Sequence, residues 1–337
     1  KALTAAAAVS ILCVACTEDV VFTGEETRSV PVMFSDVTTG DNLSLDLSMS
    51  MFFLHDEYAE YGGLSKEFYE GLSGRRIDVE AYANGSSEAI PFICVNDPSG
   101  ASHTPVFDGE NMCFRYASPY VVRPSDKIEY KVSIDGYDDP LTATLEIPAA
   151  PVCEIESLDT AVADNCIRAV ISIQDNASEE NFYAFEAVLT YQNAYSGYYY
   201  SDDGSTPINP TWTVEPDTVV SMVSVYFQQE SFDITDEISG DSDVCLSDRL
   251  FNGQKHNVKL EIGGFYNDSW HKVLPISMEL RVLSQSAAKY HYRSSLDKLS
   301  NDLMSFMGES VQLYSNVKGG FGCVMGEAST GFEVDFR

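Results

Sequence analysis

Short β-rich runs separated by turn dipeptides constrain this chain more than any other feature. Alternating or continuous apolar runs lie at 30–34, 43–49, 77–83, 127–134, 141–147, 169–173, 182–191, 219–227, 258–265 and 274–282. Between them stand Asn84-Gly85, Asp108-Gly109, Asp135-Gly136, Asn252-Gly253 and Gly263-Gly264. Many short strands with such punctuation build antiparallel sandwiches. No glycine loop joins a strand to a helix, as a nucleotide-binding parallel fold would require. The expected fold class is therefore mostly β: two β-sandwich domains of immunoglobulin or fibronectin-III type, with a short C-terminal helix.

Pro148-Ala149-Ala150-Pro151 marks the expected junction, because neither proline donates a ladder hydrogen bond. It separates an N-terminal sandwich over 16–148 from a second over 149–282. Residues 283–337 are expected as a helix and a glycine-rich tail packing on the second domain. The helix is placed at 284–304, where Tyr292, Leu296, Leu299 and Leu303 share a stripe. A shorter helical insertion is expected over 56–71, with Tyr58, Tyr61, Leu64, Phe68 and Leu72 at mostly helical spacing. A chain of 337 residues is long enough for two cores.

Charge narrows the partners. Twenty Lys+Arg against 52 Asp+Glu leave a net charge of −32, which repels phosphate backbones and excludes nucleic acid as a partner. The same acids are interleaved with 19 Tyr and 18 Phe, so the chain has the apolar area to fold.

The first residues read as an export signal. Residues 2–15 are apolar or small and uncharged, preceded by Lys1 and followed by Cys16-Thr17-Glu18-Asp19. The run is too short to span a bilayer, which takes about 20 residues. Val14-Ala15-Cys16 resembles the lipobox of bacterial lipoproteins, with Cys13 where leucine is usual. That resemblance implies a lipoprotein signal peptide at 1–15, a lipid on Cys16 and a lipid anchor in a membrane. Acidic residues directly after such a cysteine resemble the signal that sends Bacteroidetes lipoproteins to the outer face of the outer membrane.

Maturation would delete Cys13 and acylate Cys16, so their C-x-x-C spacing is not read as a redox pair. Six cysteines remain: Cys94, Cys113, Cys153, Cys166, Cys245 and Cys323. An even number in an exported chain permits disulfides. Local spacing favours Cys94–Cys113 and Cys153–Cys166, leaving Cys245–Cys323 as a long-range bridge. Buried thiols are the alternative.

No catalytic motif stands out. His55, His103, His256, His271 and His291 are scattered, without H-E-x-x-H or an i,i+4 pair. The segment from Asp233 through Asp236, Glu237, Asp241 and Asp243 to Asp248 holds six carboxylates and no base. It reads first as a solvated acidic loop. Calcium, the one cofactor this composition suggests, is the alternative, although the spacing matches no EF-hand. The favoured binding loop runs from Tyr191 to Trp212. It carries Tyr191, Tyr195, Tyr198, Tyr199 and Tyr200, then Asp202 and Asp203, then Trp212. Rigid aromatic faces beside small polar groups suit a small-molecule, glycan or peptide ligand. Rings that merely cover their own sheet are the competing account.

Dispersed, ordered segments resemble a family of Bacteroidetes surface lipoproteins known as domain of unknown function 4249. They are Ala143–Pro148, Ile171–Asn176 with Asn181-Phe182-Tyr183, Leu246–Gly253, Tyr290-His291-Tyr292 and Tyr314–Gly322. The Ser315-Asn316-Val317-Lys318-Gly319-Gly320-Phe321-Gly322 stretch is the most specific of these, and Cys323 stands where an aliphatic residue is usual. Members are commonly encoded beside SusC-like TonB-dependent transporters. The resemblance implies a non-enzymatic accessory of a TonB-dependent outer-membrane transporter, capturing a nutrient or capping the pore. A structural or adhesive surface protein is the alternative, supported by the alternating Gly331–Phe336 run, which suits a donor strand.

Overall fold

The computed structural model describes residues 29–50, 71–95, 113–160, 166–200, 207–228, 238–239, 244–263, 271–302 and 313–336. The signal peptide with Cys16 and residues 56–70 of the expected helical insertion lie outside them.

Alternation of apolar and polar residues builds the first sandwich. One sheet holds β1 (Pro31–Thr38), β2 (Asn42–Met49), β4 (Ile93–Cys94) and β5 (Phe114–Val121). The facing sheet holds β3 (Ile77–Ala83), β6 (Lys127–Ile134) and β7 (Leu141–Glu146). Along β2 the residues Leu43, Leu45, Leu47 and Met49 turn inward, as Ile128, Tyr130, Val132 and Ile134 do along β6. With period two, these rows meet and close one core.

The second unit follows the same rule. β8 (Val152–Asp159), β9 (Ile167–Gln174), β12 (Val225–Phe227) and β15 (Lys255–Ile262) form one sheet. Against it lie β10 (Phe182–Tyr200), β11 (Pro207–Val223), β13 (Ile238–Ser239), β14 (Val244–Ser247), β16 (His271–Gln285) and the C-terminal strand β17 (Val324–Asp335). Phe185, Leu189, Leu280 and Val282 pack on Ile171, Val258 and Leu260 in a second core. The helix α1 (Ala287–Asp302) follows β16.

The two units share a sheet. The order β13-β14-β10-β16-β17-β1-β2-β5-β4 is continuous, and β17 is the strand that joins its halves. Residues Val324–Glu327 pair in parallel with Ser35–Thr38, and Glu327–Asp335 pair antiparallel with β16. Val324 and Ala328 enter the first core, whereas Phe332, Val334 and Phe336 pack on the second. The tail expected wholly on the second domain therefore crosses both. Its glycines permit this: a Cβ on Gly320 would strike the Pro31 carbonyl, and one on Gly322 (φ +118°) the Met33 carbonyl. Only a residue without a side chain approaches another backbone this closely.

Glu327 is the residue where the halves meet, in register with Thr38 on one side and Gln285 on the other. It is buried and accepts hydrogen bonds from Thr38 Oγ1 (3.0 Å) and Gln285 Nε2 (3.3 Å). Lys289 Nζ, reaching back from α1, lies 2.9 Å from both Glu327 Oε2 and Asp36 Oδ1. Burial raises the Asp36 pKa against the attraction of Lys289. Burial alone would lower the Lys289 pKa, but the charges of Glu327 and Asp36 hold it above its ordinary value. This charge cluster pins the helix to the seam.

All six described cysteines carry thiols, and none is bridged. The strand registers rule out the expected disulfides, because bridged Cα atoms lie within about 7 Å. Cys94 pairs with Tyr116, and Cys113 lies beyond that ladder, about 10 Å along the strand. Cys153 is opposite Ile173, whereas Cys166 precedes the other end of β9, about 23 Å away. Between Cys245 on β14 and Cys323 beside β17 stand β10 and β16, a separation of at least about 14 Å. Spacing along the chain made these pairs look close, and the hairpin registers take them apart.

Candidate functional site

The residues expected in a tyrosine loop are mostly in strands. β10 extends to Tyr200 and β11 begins at Pro207, with Tyr199 opposite Ile208 and Tyr200 opposite Pro207. Tyrosine and tryptophan favour extended backbone, which lengthens the hairpin at the expense of the loop. Tyr191 packs on the second core. Tyr199 and Tyr200 are placed by backbone pairing and Tyr198 falls at the register shift between Gly197 and Tyr199, while Asp202 and Asp203 lie outside the described residues.

β10, β11 and the start of β16 together form a three-stranded ribbon. A bulge separates it from the rest of the hairpin. Gln192 pairs with Thr218 and Ala194 with Val214, so Glu215-Pro216-Asp217 bow outward opposite Asn193. Gln192 Nε2 donates to the carbonyls of Glu215 (3.2 Å) and Pro216 (3.3 Å) and holds the bulge. Beyond it, pairing places Ala194 opposite Lys272 and Ser196 opposite Trp212 on one face, with Tyr195 opposite His271 on the other. Lys272 Nζ sits 4.1 Å from the centre of the Trp212 ring. His271 stacks on Tyr195 at 5.0 Å, and its Nε2 is 2.9 Å from Asn193 Oδ1. Tyr195 is 45% exposed, so its ring still offers a face to a ligand. Each face of the ribbon thus couples one aromatic ring to a titratable or cationic group, an arrangement that recognises other rings and planar or hydroxyl-bearing groups.

A second concavity has no counterpart among the sequence motifs. An open groove of about 620 Å³ is lined by Tyr82, Lys131, Thr142, Thr144, Tyr314 and Asn316 among others. Its far wall is the Tyr314–Lys318 segment. Asn316 clamps that wall, donating from Nδ2 to the Val324 carbonyl (2.7 Å) and accepting from the Val324 amide (2.8 Å). Lys318 exchanges backbone hydrogen bonds with Thr142.

Other motif residues staple turns. Asp175 accepts from Tyr183 Oη (2.7 Å) and the Gly253 amide (2.5 Å). Burial, then the hydrogen bond to Asp175 and its charge, raises the Tyr183 pKa. Asp248 Oδ2 accepts from the Asn181 amide (2.9 Å) and Asn181 Nδ2 (3.2 Å). Burial raises the Asp248 pKa against those hydrogen bonds. Asp175, Asn181, Tyr183, Asp248 and Gly253, dispersed in sequence, thus share one corner of the second sandwich.

The calcium candidates Asp233, Asp236, Glu237, Asp241 and Asp243 lie outside the described residues. Among the described residues no cluster of three or more histidine, cysteine or acidic side chains is arranged to hold a metal. The described histidines lie on three elements, each against a ring: His256 on Phe251 (4.3 Å), His271 on Tyr195, and His291 edge-on to Phe182. Burial lowers the His256 pKa.

The family model for Domain of unknown function (DUF4249) matches residues 18–331. The chain belongs to this family. Among curated proteins nothing matches it. The family match covers both sandwiches and most of β17, so the shared sheet is a feature of the matched region as a whole.

Proposed function

We propose that this DUF4249 chain is a lipid-anchored protein of the outer-membrane surface. It acts as a non-enzymatic accessory of a TonB-dependent nutrient transporter, capturing a ligand or capping the pore. The ribbon of β10, β11 and β16 carries this reading, since it sets Tyr195 with His271 and Trp212 with Lys272 beyond the bulge. The N-terminal lipobox-like sequence supports the anchor and the bacterial source. The adhesive alternative relied on Gly331–Phe336. Residues 331–335 of that run pair with β16, and its apolar residues pack on the second core.

The test is copurification from detergent-solubilised outer membranes at native expression. Wild-type protein is expected to bring down a transporter barrel, and the Tyr195→Ala/Trp212→Ala variant to lose it. Both ring systems sit at the surface, so the variant is expected to stay within about 1 kcal/mol of wild-type stability. Recovery of the wild-type protein alone defeats the accessory reading.

A further inference from the structure

The groove on the first sandwich is built from side chains that strand register brings together. Its floor is the outer face of the sheet of β3, β6 and β7, the face turned away from the core. Across that face Glu80, Lys131, Thr142 and Lys318 stand opposite one another on β3, β6, β7 and the wall segment. Tyr82, Glu129 and Thr144 form the next row, and Lys127 and Glu146 the one after it. Tyr314 rises in the far wall, while Ala287 and Ala288 at the start of α1 add little bulk. From Tyr82 to Thr144 the floor spans two strand spacings, about 10 Å, with the Tyr314 wall beyond. A ligand of several linked rings fits such a floor.

The far wall is fixed without a ligand. Both side-chain groups of Asn316 are taken up by Val324, and Lys318 is bonded to Thr142 through the backbone. The Tyr314 ring rests against His291 at 5.4 Å. A site already held in shape loses little freedom on binding.

The charge of the lining selects the ligand. Glu129 and Glu146 balance Lys131 and Lys318, in a chain that carries 52 acids and only 20 bases. Lys131 Nζ lies 3.3 Å from Glu80 Oε2, and Lys127 Nζ 2.9 Å from Glu146 Oε1. A floor so balanced has no net charge with which to hold an ion, and an anion must also approach a protein of net charge −32. An apolar ligand would cut the same groups off from water without replacing their partners. What the floor offers is a dense mixture of donors and acceptors: ammonium groups donate, carboxylates accept, and threonine hydroxyls do both. Sugar hydroxyls also do both. The tyrosines add flat apolar faces with negative π-density, suited to the C–H face of a pyranose.

We propose that this groove binds a neutral oligosaccharide, with Tyr82 and Tyr314 against its ring faces and Glu129, Lys131 and Thr144 on its hydroxyls. The site lies on the first sandwich, apart from the Tyr195 and Trp212 pairs of the ribbon, and it stands whether or not a transporter is the partner.

Isothermal titration of the purified protein tests it. The probes are neutral trisaccharides of glucose, galactose, mannose and xylose, with trigalacturonate as an anionic control and the glucosamine trimer as a cationic one. At least one neutral trisaccharide is expected to bind with a Kd of about 1 mM or tighter, and more tightly than either charged trimer. Tyr82→Ala and Lys131→Ala, both on the outer face of the sheet, are each expected to weaken that binding at least about tenfold. Their melting curves should stay unchanged, since the Lys131 ion pair is exposed. Tyr195→Ala/Trp212→Ala should leave the affinity unchanged, which separates this site from the ribbon. Absence of binding by all the neutral trisaccharides would overturn the proposal. So would tighter binding of a charged trimer, or binding that survives the groove variants and is lost in the ribbon variant.

Discussion

Replacing Lys289 with Met tests how the seam is held. The methionine keeps most of the apolar stem and removes only the cation. Glu327, 4% exposed, and Asp36 would then face each other across the seam without their shared partner, leaving Arg293 as the nearest base acting on Asp36. Breaking a buried ion pair from one side costs about 3–5 kcal/mol, because the remaining charge stays desolvated. The loss is expected to depend on pH in a defined direction. The Asp36 pKa is already raised by burial, and removing Lys289 deletes the two largest influences that lower it. A carboxyl whose folded pKa exceeds its ordinary value of 3.8 contributes stability below 3.8 and loses it as pH rises through the folded value. The variant should therefore recover toward wild type on acidification, by up to about 1.4 kcal/mol per pH unit as Asp36 takes up a proton. In wild type the raised Lys289 pKa contributes stability below 10.5 that is lost as pH rises through its folded value, and the variant should lack that alkaline loss. Urea unfolding across the acidic, neutral and alkaline ranges measures all three. A loss under about 1 kcal/mol at neutral pH, or one that does not change with pH, would refute the reasoning.

Two further outcomes follow from the packing. Gly322→Ala places a Cβ against the Met33 carbonyl at a φ of +118°, and should lower stability by more than about 2 kcal/mol in denaturant titration. Unfolding without reductant should release alkylatable thiols at Cys94, Cys113, Cys153, Cys166, Cys245 and Cys323. In the native protein Cys153 and Cys323 should react slowly, since burial pushes their pKa values up to about 11 and about 12, with the Asp36 charge adding to the second. Mass spectrometry of alkylated peptides reads both results.

Local sequence determined what local physics controls. Alternation along Leu43–Met49 or Lys127–Ile134 dictates a half-buried strand, because successive side chains point to opposite faces and only one face can be apolar. The stripe Tyr292, Leu296 and Leu299 dictated a helix for the matching geometric reason. The specificity of the Ser315–Gly322 stretch was visible too, although its job was not: its glycines lie against the backbones of Pro31, Met33 and Pro140. Register was not legible. Chain spacing drew Cys153 toward Cys166, and only the β8–β9 ladder shows that they sit at opposite ends. The tyrosines suggested a loop, but cross-strand pairing with β11 carried the hairpin to Tyr200. Nor could any local pattern reveal that β17 serves two cores at once. Strand partners are chosen by long-range burial and hydrogen bonding, so the shared sheet and the Glu327 cluster at its seam exist only once the whole chain is folded.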